Sequence, residues 1–173
     1  MRALVILALA TLSWSVKIPA TVANVADGDT ITTMVDGERR KVRLLWIDTP
    51  ESHDNRHGKA MPEGVKAAEA LRSLLPHGAA IRLWGPGDEL KVDPFGRSLA
   101  VVFLGATGED SAQEHQIRAG WSPLWEKYGK PPEPWKAKLQ AAEDAAKKGK
   151  IGAWGTAPDY MRDKANETTQ KRR

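Results

Sequence analysis

The chain contains no cysteine, and this absence removes several chemistries at once. Disulfide bonds, thiolate metal sites and cysteine nucleophiles are all excluded. Tyrosine and phenylalanine are scarce, with two residues each, whereas tryptophan occurs seven times. Because large aromatic side chains are usually well buried, we expect most of the tryptophans to lie in the core. The 173 residues are enough for one domain with a proper core and modest tails.

A long apolar run is also lacking, since a helix that spans a bilayer needs about 20 apolar residues. The apolar stretch at residues 3–12 is shorter, follows Met1 and Arg2, and precedes a Ser-Trp-Ser triplet at residues 13–15. This layout is typical of a secretory signal peptide. A buried N-terminal strand and an uncleaved anchor are the alternatives. We expect residues 1–15 to be a signal peptide and the chain to be secreted or periplasmic, without stable membrane insertion.

The charge balance is basic. Lysine and arginine number 26 against 22 acidic residues, which gives a formal charge of +4 and a pI near 9.4. A basic balance favours a polyanionic partner, either nucleic acid or an anionic membrane surface. Part of the excess lies in the last three residues, so composition alone does not decide between these partners.

Short segments rich in β-branched and apolar residues predict five strands. The first three form a β-meander, because Asp-rich turn residues separate the first two and Asp36-Gly37 is a hairpin signal. The predicted strands are residues 21–25, 30–34, 42–47, 80–84 and 98–104.

Three segments show helical spacing of apolar residues. One begins at Pro62 and ends before Pro76, one covers residues 111–119, and the last runs from Trp135 to about Gly149. We therefore predict an α+β fold, a five-stranded Greek-key β-barrel (OB-fold) with about three helices. The domain should cover residues 16–155, followed by a polar, disordered tail at residues 156–173.

Residues 43–51 (Arg-Leu-Leu-Trp-Ile-Asp-Thr-Pro-Glu) are the most informative stretch of the chain. An apolar strand begins with a cation and ends in a turn that presents a carboxylate, a hydroxyl and a second carboxylate. Pro50 favours an extended Thr49 and ends the strand. Such an arrangement suits a site that holds a cation and an anion together. The alternative is a core strand that simply runs into a polar turn.

Two further segments belong with this stretch. Residues 27–30 (Asp-Gly-Asp-Thr) form the turn before the second strand, and residues 93–97 (Asp-Pro-Phe-Gly-Arg) lead into the fifth strand. In a meander the turn before strand two lies beside the end of antiparallel strand three, so Asp29 and Asp48 can share a cation. Hard oxygen ligands without cysteine or spaced histidines favour calcium or a similar ion.

The order of these motifs resembles the staphylococcal nuclease (thermonuclease) family. The resemblance covers roughly residues 19–154. It rests on several motifs, each of which is specific to the family by itself. They are Pro19-Ala20-Thr21, Asp27-Gly28-Asp29-Thr30, Arg43-Leu44-Leu45-x-Ile47-Asp48-Thr49-Pro50-Glu51, Asp93-x-x-Gly96-Arg97 and Arg118-x-Gly120.

The resemblance implies a role for each matching residue. The metal group would be Asp29 and Asp48 with the backbone carbonyl of Thr49, binding Ca²⁺. The catalytic group would be Glu51 as general base, with Arg43 and Arg97 gripping the phosphate. Tyr128 would contact the substrate, and Asp27 and Asp93 would support the other site residues. The implied activity is hydrolysis of phosphodiester bonds in DNA, and of RNA as a second candidate substrate, leaving 3′-phosphate ends.

The chain departs from the family where the substrate lies. The family carries tyrosines after the second helix, and here residues 125–128 are Trp-Glu-Lys-Tyr, so only Tyr128 matches. The competing function is a non-catalytic nucleic-acid-binding barrel, a class that lacks the acidic and arginine residues present here. A membrane-anchored interaction module is a third alternative, if residues 1–15 are retained. We expect a monomer.

Overall fold

The computed structural model describes residues 17–54, 58–85 and 89–170, so the predicted signal peptide lies outside the described residues. Five strands form a closed barrel in the order β1-β2-β3-β5-β4, which confirms the predicted fold class. Strands β3 and β5 are parallel and the other neighbours are antiparallel. The strands are β1 (Ile18–Asp27), β2 (Thr30–Val35), β3 (Glu38–Leu44), β4 (Ala80–Trp84) and β5 (Ser98–Leu104).

The described residues contain five helices rather than about three. They are α1 (Pro62–Leu74), α2 (Ala112–Arg118), α3 (Trp135–Gly149), α4 (Ala153–Thr156) and α5 (Pro158–Gln170). The first three match the predicted helices. The described helices include none that is both long and apolar enough to cross a membrane.

Helix α5 replaces the disordered tail that the sequence predicted. Pro158 stands at its first position, where the missing N–H costs no hydrogen bond. Met161 is fully buried and packs in a small cluster with Ala146, Ala153 and Trp154. The prediction of a disordered tail was wrong for this helix because most of the segment is polar, whereas the few side chains that anchor it, Met161 with Tyr160 and Ala165, meet a cluster formed by other helices.

Aromatic side chains fill the end of the barrel that lies under the helices. The ring of Trp46 lies 6.3 Å from that of Trp84 and 6.1 Å from that of Trp135, and Phe103 meets Trp135 edge-on at 5.5 Å. Trp125 and Trp154 are buried as well, so most tryptophans lie in the core, as predicted.

Strand β3 ends three residues earlier than predicted. Trp46 has a positive φ of 65°, which is incompatible with an extended strand. Leu44, Leu45, Trp46 and Ile47 are all buried, so buried and exposed side chains do not alternate past the strand end. The resulting turn carries the chain inward under the helices, and Asp48 follows it directly.

Two buried glutamines of α2 connect the helices to the barrel. Gln113 donates to the carbonyl of Ala100 at 2.8 Å and accepts from the N–H of Val102 at 3.1 Å, so it continues the pairing of β5. The amide of Gln116 donates to the carbonyls of Gly28 at 2.6 Å and Ala67 at 3.0 Å. The β1–β2 turn is thereby fixed to α1 and α2.

Helix α1 approaches the chain after β3 so closely that one position must be glycine. A Cβ atom on Gly64 would lie 2.1 Å from the carbonyl oxygen of Glu51 and 2.6 Å from that of Pro50. The same carbonyl of Glu51 accepts a hydrogen bond from the N–H of Met61 at 2.9 Å. The backbone of Glu51 is therefore held against the first turn of α1.

This contact reverses the usual effect on stability of replacing a helical glycine by alanine. Gly→Ala in an exposed helix interior stabilises by about 1 kcal/mol. We expect Gly64→Ala instead to lower the free energy of unfolding by about 1–3 kcal/mol, because the methyl group has to displace backbone. Urea denaturation measures this, with the exposed helical position Lys66→Ala as control. An unchanged or raised stability of Gly64→Ala would contradict the close contact.

Candidate active site

A cleft of about 620 Å³ opens where the β1–β2 turn, the end of β3, the loop before β5 and helix α5 meet. Its volume is in the range of ligand-binding pockets. Seven of the nine predicted site residues line it, namely Asp27, Asp29, Arg43, Asp48, Glu51, Arg97 and Tyr128. The other two, Thr49 and Asp93, are buried beside it.

Arg43 lies at the centre of the site and is only 3% exposed. Its Nη1 donates to the carbonyls of Leu44 at 3.0 Å and Ile47 at 2.8 Å, the two residues that flank the turn at Trp46. Its Nη2 lies 2.5 Å from Asp48 Oδ1 and 3.0 Å from Asp29 Oδ2. The guanidinium thus fixes the turn on one side and joins both predicted metal carboxylates on the other.

The two carboxylates converge as the meander predicted. The backbone N–H of Thr49 donates to Asp29 Oδ2 at 3.2 Å, and the N–H of Asp48 donates to Ser122 Oγ at 2.8 Å. Thr30 Oγ1 donates to Asp29 Oδ1 at 2.9 Å. The carboxylate of Asp29 is therefore oriented by Thr30 and by the backbone of Thr49, and Ser122 fixes the backbone of Asp48.

The surroundings shift the pKa of both charged partners. Burial raises the pKa of Asp29, and the nearby carboxylates of Asp48 and Asp27 add to this, while Arg43 opposes it. Burial by itself lowers the pKa of Arg43, but attraction to Asp29 and Asp48 outweighs burial and the pKa is raised. Arg43 therefore remains a cation at any pH at which the protein is used.

Asp27 contacts the backbone of the β1–β2 turn and lies near a histidine. Its Oδ1 accepts from the N–H of Gly28 at 2.8 Å, and its Oδ2 lies 3.9 Å from His53 Nδ1. A Cβ on Gly28 would approach Thr49 Oγ1 to 2.6 Å. The turn therefore packs directly on Thr49, whose buried hydroxyl has no hydrogen-bond partner in the described structure.

Arg97 is held by Asp93, as the sequence suggested. Asp93 Oδ2 accepts from Arg97 Nε at 2.7 Å, and Oδ1 accepts from the N–H groups of Phe95 at 2.9 Å and Arg97 at 3.0 Å. Burial raises the pKa of Asp93, but the hydrogen bonds and charge of Arg97 outweigh it, so the pKa is lowered. Arg97 Nη1 reaches Thr30 Oγ1 at 3.4 Å and so faces the Asp29 side of the cleft.

Trp125 and Tyr128 form an aromatic pair beside the central arginine of the cleft. Trp125 is 5% exposed, and its ring lies 5.5 Å from Arg43 Cζ, so it packs against the central guanidinium. Tyr128 is half-buried and meets Trp125 edge-on at 5.7 Å. Lys127 Nζ lies 5.2 Å from the Trp125 ring and also lines the cleft.

Helix α5 contributes three cleft residues that the sequence did not indicate, namely Tyr160, Lys164 and Glu167. Lys164 Nζ lies 2.8 Å from Asp48 Oδ2 and 3.4 Å from Glu167 Oε1. Glu167 Oε2 accepts from Trp125 Nε1 at 3.3 Å. The one sequence signal was the i, i+3 spacing of Lys164 and Glu167, which any exposed helix can carry.

The cleft also shifts the pKa of two of these groups. Burial lowers the pKa of Lys164, but the charge and hydrogen bond of Asp48 outweigh burial, so the pKa is raised. Burial raises the pKa of Tyr160 to about 12, and Asp48 and Glu51 add to this. Lys164 is therefore a cation and Tyr160 a neutral phenol near neutral pH.

The donor set suits a hard divalent ion. Oxygen atoms of Asp29 and Asp48 lie within 3.0 Å of one guanidinium nitrogen, so both face a single small region. Among the described residues there is no group of three or more histidine or acidic side chains that could hold an ion. An ion here would need backbone oxygen or water besides the two carboxylates, and calcium accepts both.

Comparison with known proteins identifies the family of the chain. Residues 41–156 match the family described as staphylococcal nuclease homologue. The chain is 30% identical over 135 residues to the thermonuclease of Staphylococcus hyicus, across 77% of this chain and 73% of that protein. It is 30% identical over 139 residues to the micrococcal nuclease of Shigella flexneri, across 77% and 71%.

An uncharacterised protein of Bacillus anthracis is 32% identical over 135 residues, and the match spans 77% of this chain and 59% of that protein. The family match covers the end of β3 with Arg43, and also Asp48 and Arg97, whereas Asp29 precedes it. This chain belongs to the staphylococcal nuclease family.

Proposed function

We propose that the chain is a calcium-dependent nuclease that hydrolyses phosphodiester bonds in DNA, with RNA as a second substrate, and leaves 3′-phosphate ends. The observation that supports it most is the meeting of two carboxylates at one nitrogen of a buried arginine, in a cleft that also contains Glu51 and Arg97. A barrel that only binds nucleic acid does not need buried carboxylates beside the phosphate.

Glu51 is the proposed general base. It is half-buried in the cleft, and its backbone is held by α1 through the N–H of Met61. Its carboxylate takes a proton from the water as the water oxygen bonds to phosphorus. The bond from phosphorus to the 5′-oxygen breaks, and the leaving 5′-oxygen takes up a proton from solvent water to become a hydroxyl. General base assistance of this kind typically contributes about 10²- to 10⁴-fold to the rate.

Arg43 and Arg97 are the proposed phosphate-binding groups. Their guanidinium groups are planar and present donors that match phosphate oxygens. They neutralise charge on the phosphate as the water attacks, and their positions are fixed beforehand by Ile47 and Asp93. Preorganised charge is usually the largest single contribution to catalysis.

The proposed metal ligands are Asp29, Asp48 and the backbone carbonyl of Thr49. When bound there, Ca²⁺ would supply further positive charge to the phosphate. Asp27 and Asp93 support these groups, through the turn at Gly28 and through Arg97. Tyr128 at the cleft rim is the proposed contact to the nucleotide.

The secreted or periplasmic location and the monomeric state are also part of this proposal. The support for export is the pattern of residues 1–15. N-terminal sequencing of the protein recovered outside the cytoplasm should begin near Val16. A sequence that begins at Met1 in that fraction would contradict cleavage.

The calcium requirement and the role of Glu51 have a joint test. The purified chain should cut single- and double-stranded DNA with calcium and stop when a chelator is added. Glu51→Gln keeps the shape of the side chain but cannot take a proton, so kcat should fall about 10²- to 10⁴-fold. Glu63→Gln, on the first turn of α1, is the matched control and should keep full activity.

Three results would count against this mechanism. Cleavage that persists in chelator would exclude the metal, and unchanged kcat in Glu51→Gln would exclude the general base. DNA binding without cleavage under any condition would favour the non-catalytic barrel.

The two arginines should differ in their effect on folding. Arg97→Lys and Arg43→Lys should each lower kcat by roughly 10²-fold, because a single ammonium replaces a planar pair of donors. Arg43→Lys should also lower the free energy of unfolding by about 2–4 kcal/mol, since two buried carbonyls and two carboxylates lose their shared donor. Arg97→Lys should lower the free energy of unfolding by less than about 1 kcal/mol, because Asp93 keeps its backbone donors.

Paired urea denaturation and steady-state kinetics measure both effects. Equal stability of the two variants would contradict the structural role of Arg43, and unchanged kcat in Arg97→Lys would contradict its contact with the phosphate.

A further inference from the structure

Helix α5 begins at Pro158, after the family match ends at residue 156, yet it lines the candidate active site. Its Lys164 holds Asp48 Oδ2 at 2.8 Å, while Arg43 holds Asp48 Oδ1 at 2.5 Å. Both oxygens of a proposed metal ligand are therefore bound to cations of the chain itself. This inference rests on the proposed function, because it concerns the ion that Asp29 and Asp48 would bind.

The charges of the four central groups cancel. Asp29 and Asp48 carry two negative charges, and Arg43 and Lys164 carry two positive ones. A divalent ion that approaches Asp48 meets two cations within hydrogen-bond distance of the same carboxylate, and repulsion between charges this close is strong in a partly buried site. One of these cations has to move before Asp48 can act as a metal ligand.

Arg43 is not the cation that moves. It is 3% exposed, and two backbone carbonyls and Asp29 hold it in place. The side chain of Lys164 is 24% exposed, on a flexible four-carbon stem. Glu167 Oε1 lies 3.4 Å from its ammonium, so Lys164 has a second carboxylate to pair with after it leaves Asp48.

We infer that Lys164 is the internal counter-ion of Asp48 which a divalent cation must displace, so that helix α5 sets the metal affinity of the site. Lys164 moves its pairing to Glu167 as the ion binds Asp48. The site should then bind calcium more weakly than it would without this lysine. It should remain free of metal until the calcium concentration is high.

Isothermal titration of Ca²⁺ into the purified chain, without nucleic acid, tests the inference. Lys164→Gln should lower the calcium Kd by about 10-fold, within the roughly 5- to 150-fold range of typical couplings between sites. Lys164→Arg keeps the charge and should stay near the wild-type Kd. Arg162→Gln removes an equal charge from an exposed position of α5 and should also leave the Kd unchanged.

A second measurement uses the unaltered protein. Saturating calcium should speed amide hydrogen exchange in residues 160–167, because the helix loses its ion pair with Asp48. Unchanged or slower exchange there, or a Kd in Lys164→Gln equal to or above the wild-type value, would overturn the inference.

The outcomes also separate this inference from the proposed function. If DNA cleavage depends on calcium but the calcium Kd is equal in all variants, the role of Lys164 is contradicted and the proposed function stands. Absence of calcium binding in every variant would overturn both.

Discussion

Burying a guanidinium is costly unless its donors and its charge are all matched, and Arg43 meets this condition with groups of the turn that follows β3 and with Asp29 of the β1–β2 turn. It holds the carbonyls on both sides of the Trp46 turn and the carboxylates of Asp29 and Asp48. The turn cannot move without removing acceptors from a buried charge. The same guanidinium therefore sets the path of the chain after β3 and the positions of the acidic groups.

Much of this arrangement can be predicted from local sequence patterns. Segments rich in β-branched and apolar residues predicted the five strands, and helical spacing predicted three helices. The antiparallel connection of β2 and β3 was enough to bring Asp29 near Asp48. The wrapping of Arg97 by Asp93 follows from four-residue spacing across a tight turn. These features depend on residues close in sequence or on neighbouring strands, and such contacts are the ones that a single sequence reveals.

Other features depend on contacts that no local pattern encodes. The positive φ of Trp46 ends β3 before its apolar run does, and the Trp46 ring packs against Trp84 and Trp135, which lie far away in the sequence. Helix α5 looks like a solvated tail because its partners, Asp48 and Trp125, lie far back in the chain.

The contact between Gly64 and the backbone of Glu51 has a consequence for how this region can change in evolution. The segment between residues 52 and 60 leaves Glu51 and returns to Met61, whose N–H is bound to the carbonyl of Glu51 at 2.9 Å. Its two ends are thus joined at the base, and the closure entropy of such a loop grows only slowly with length. Insertions, deletions and new recognition residues can accumulate in this segment while the carboxylate of Glu51 stays in register with the arginines.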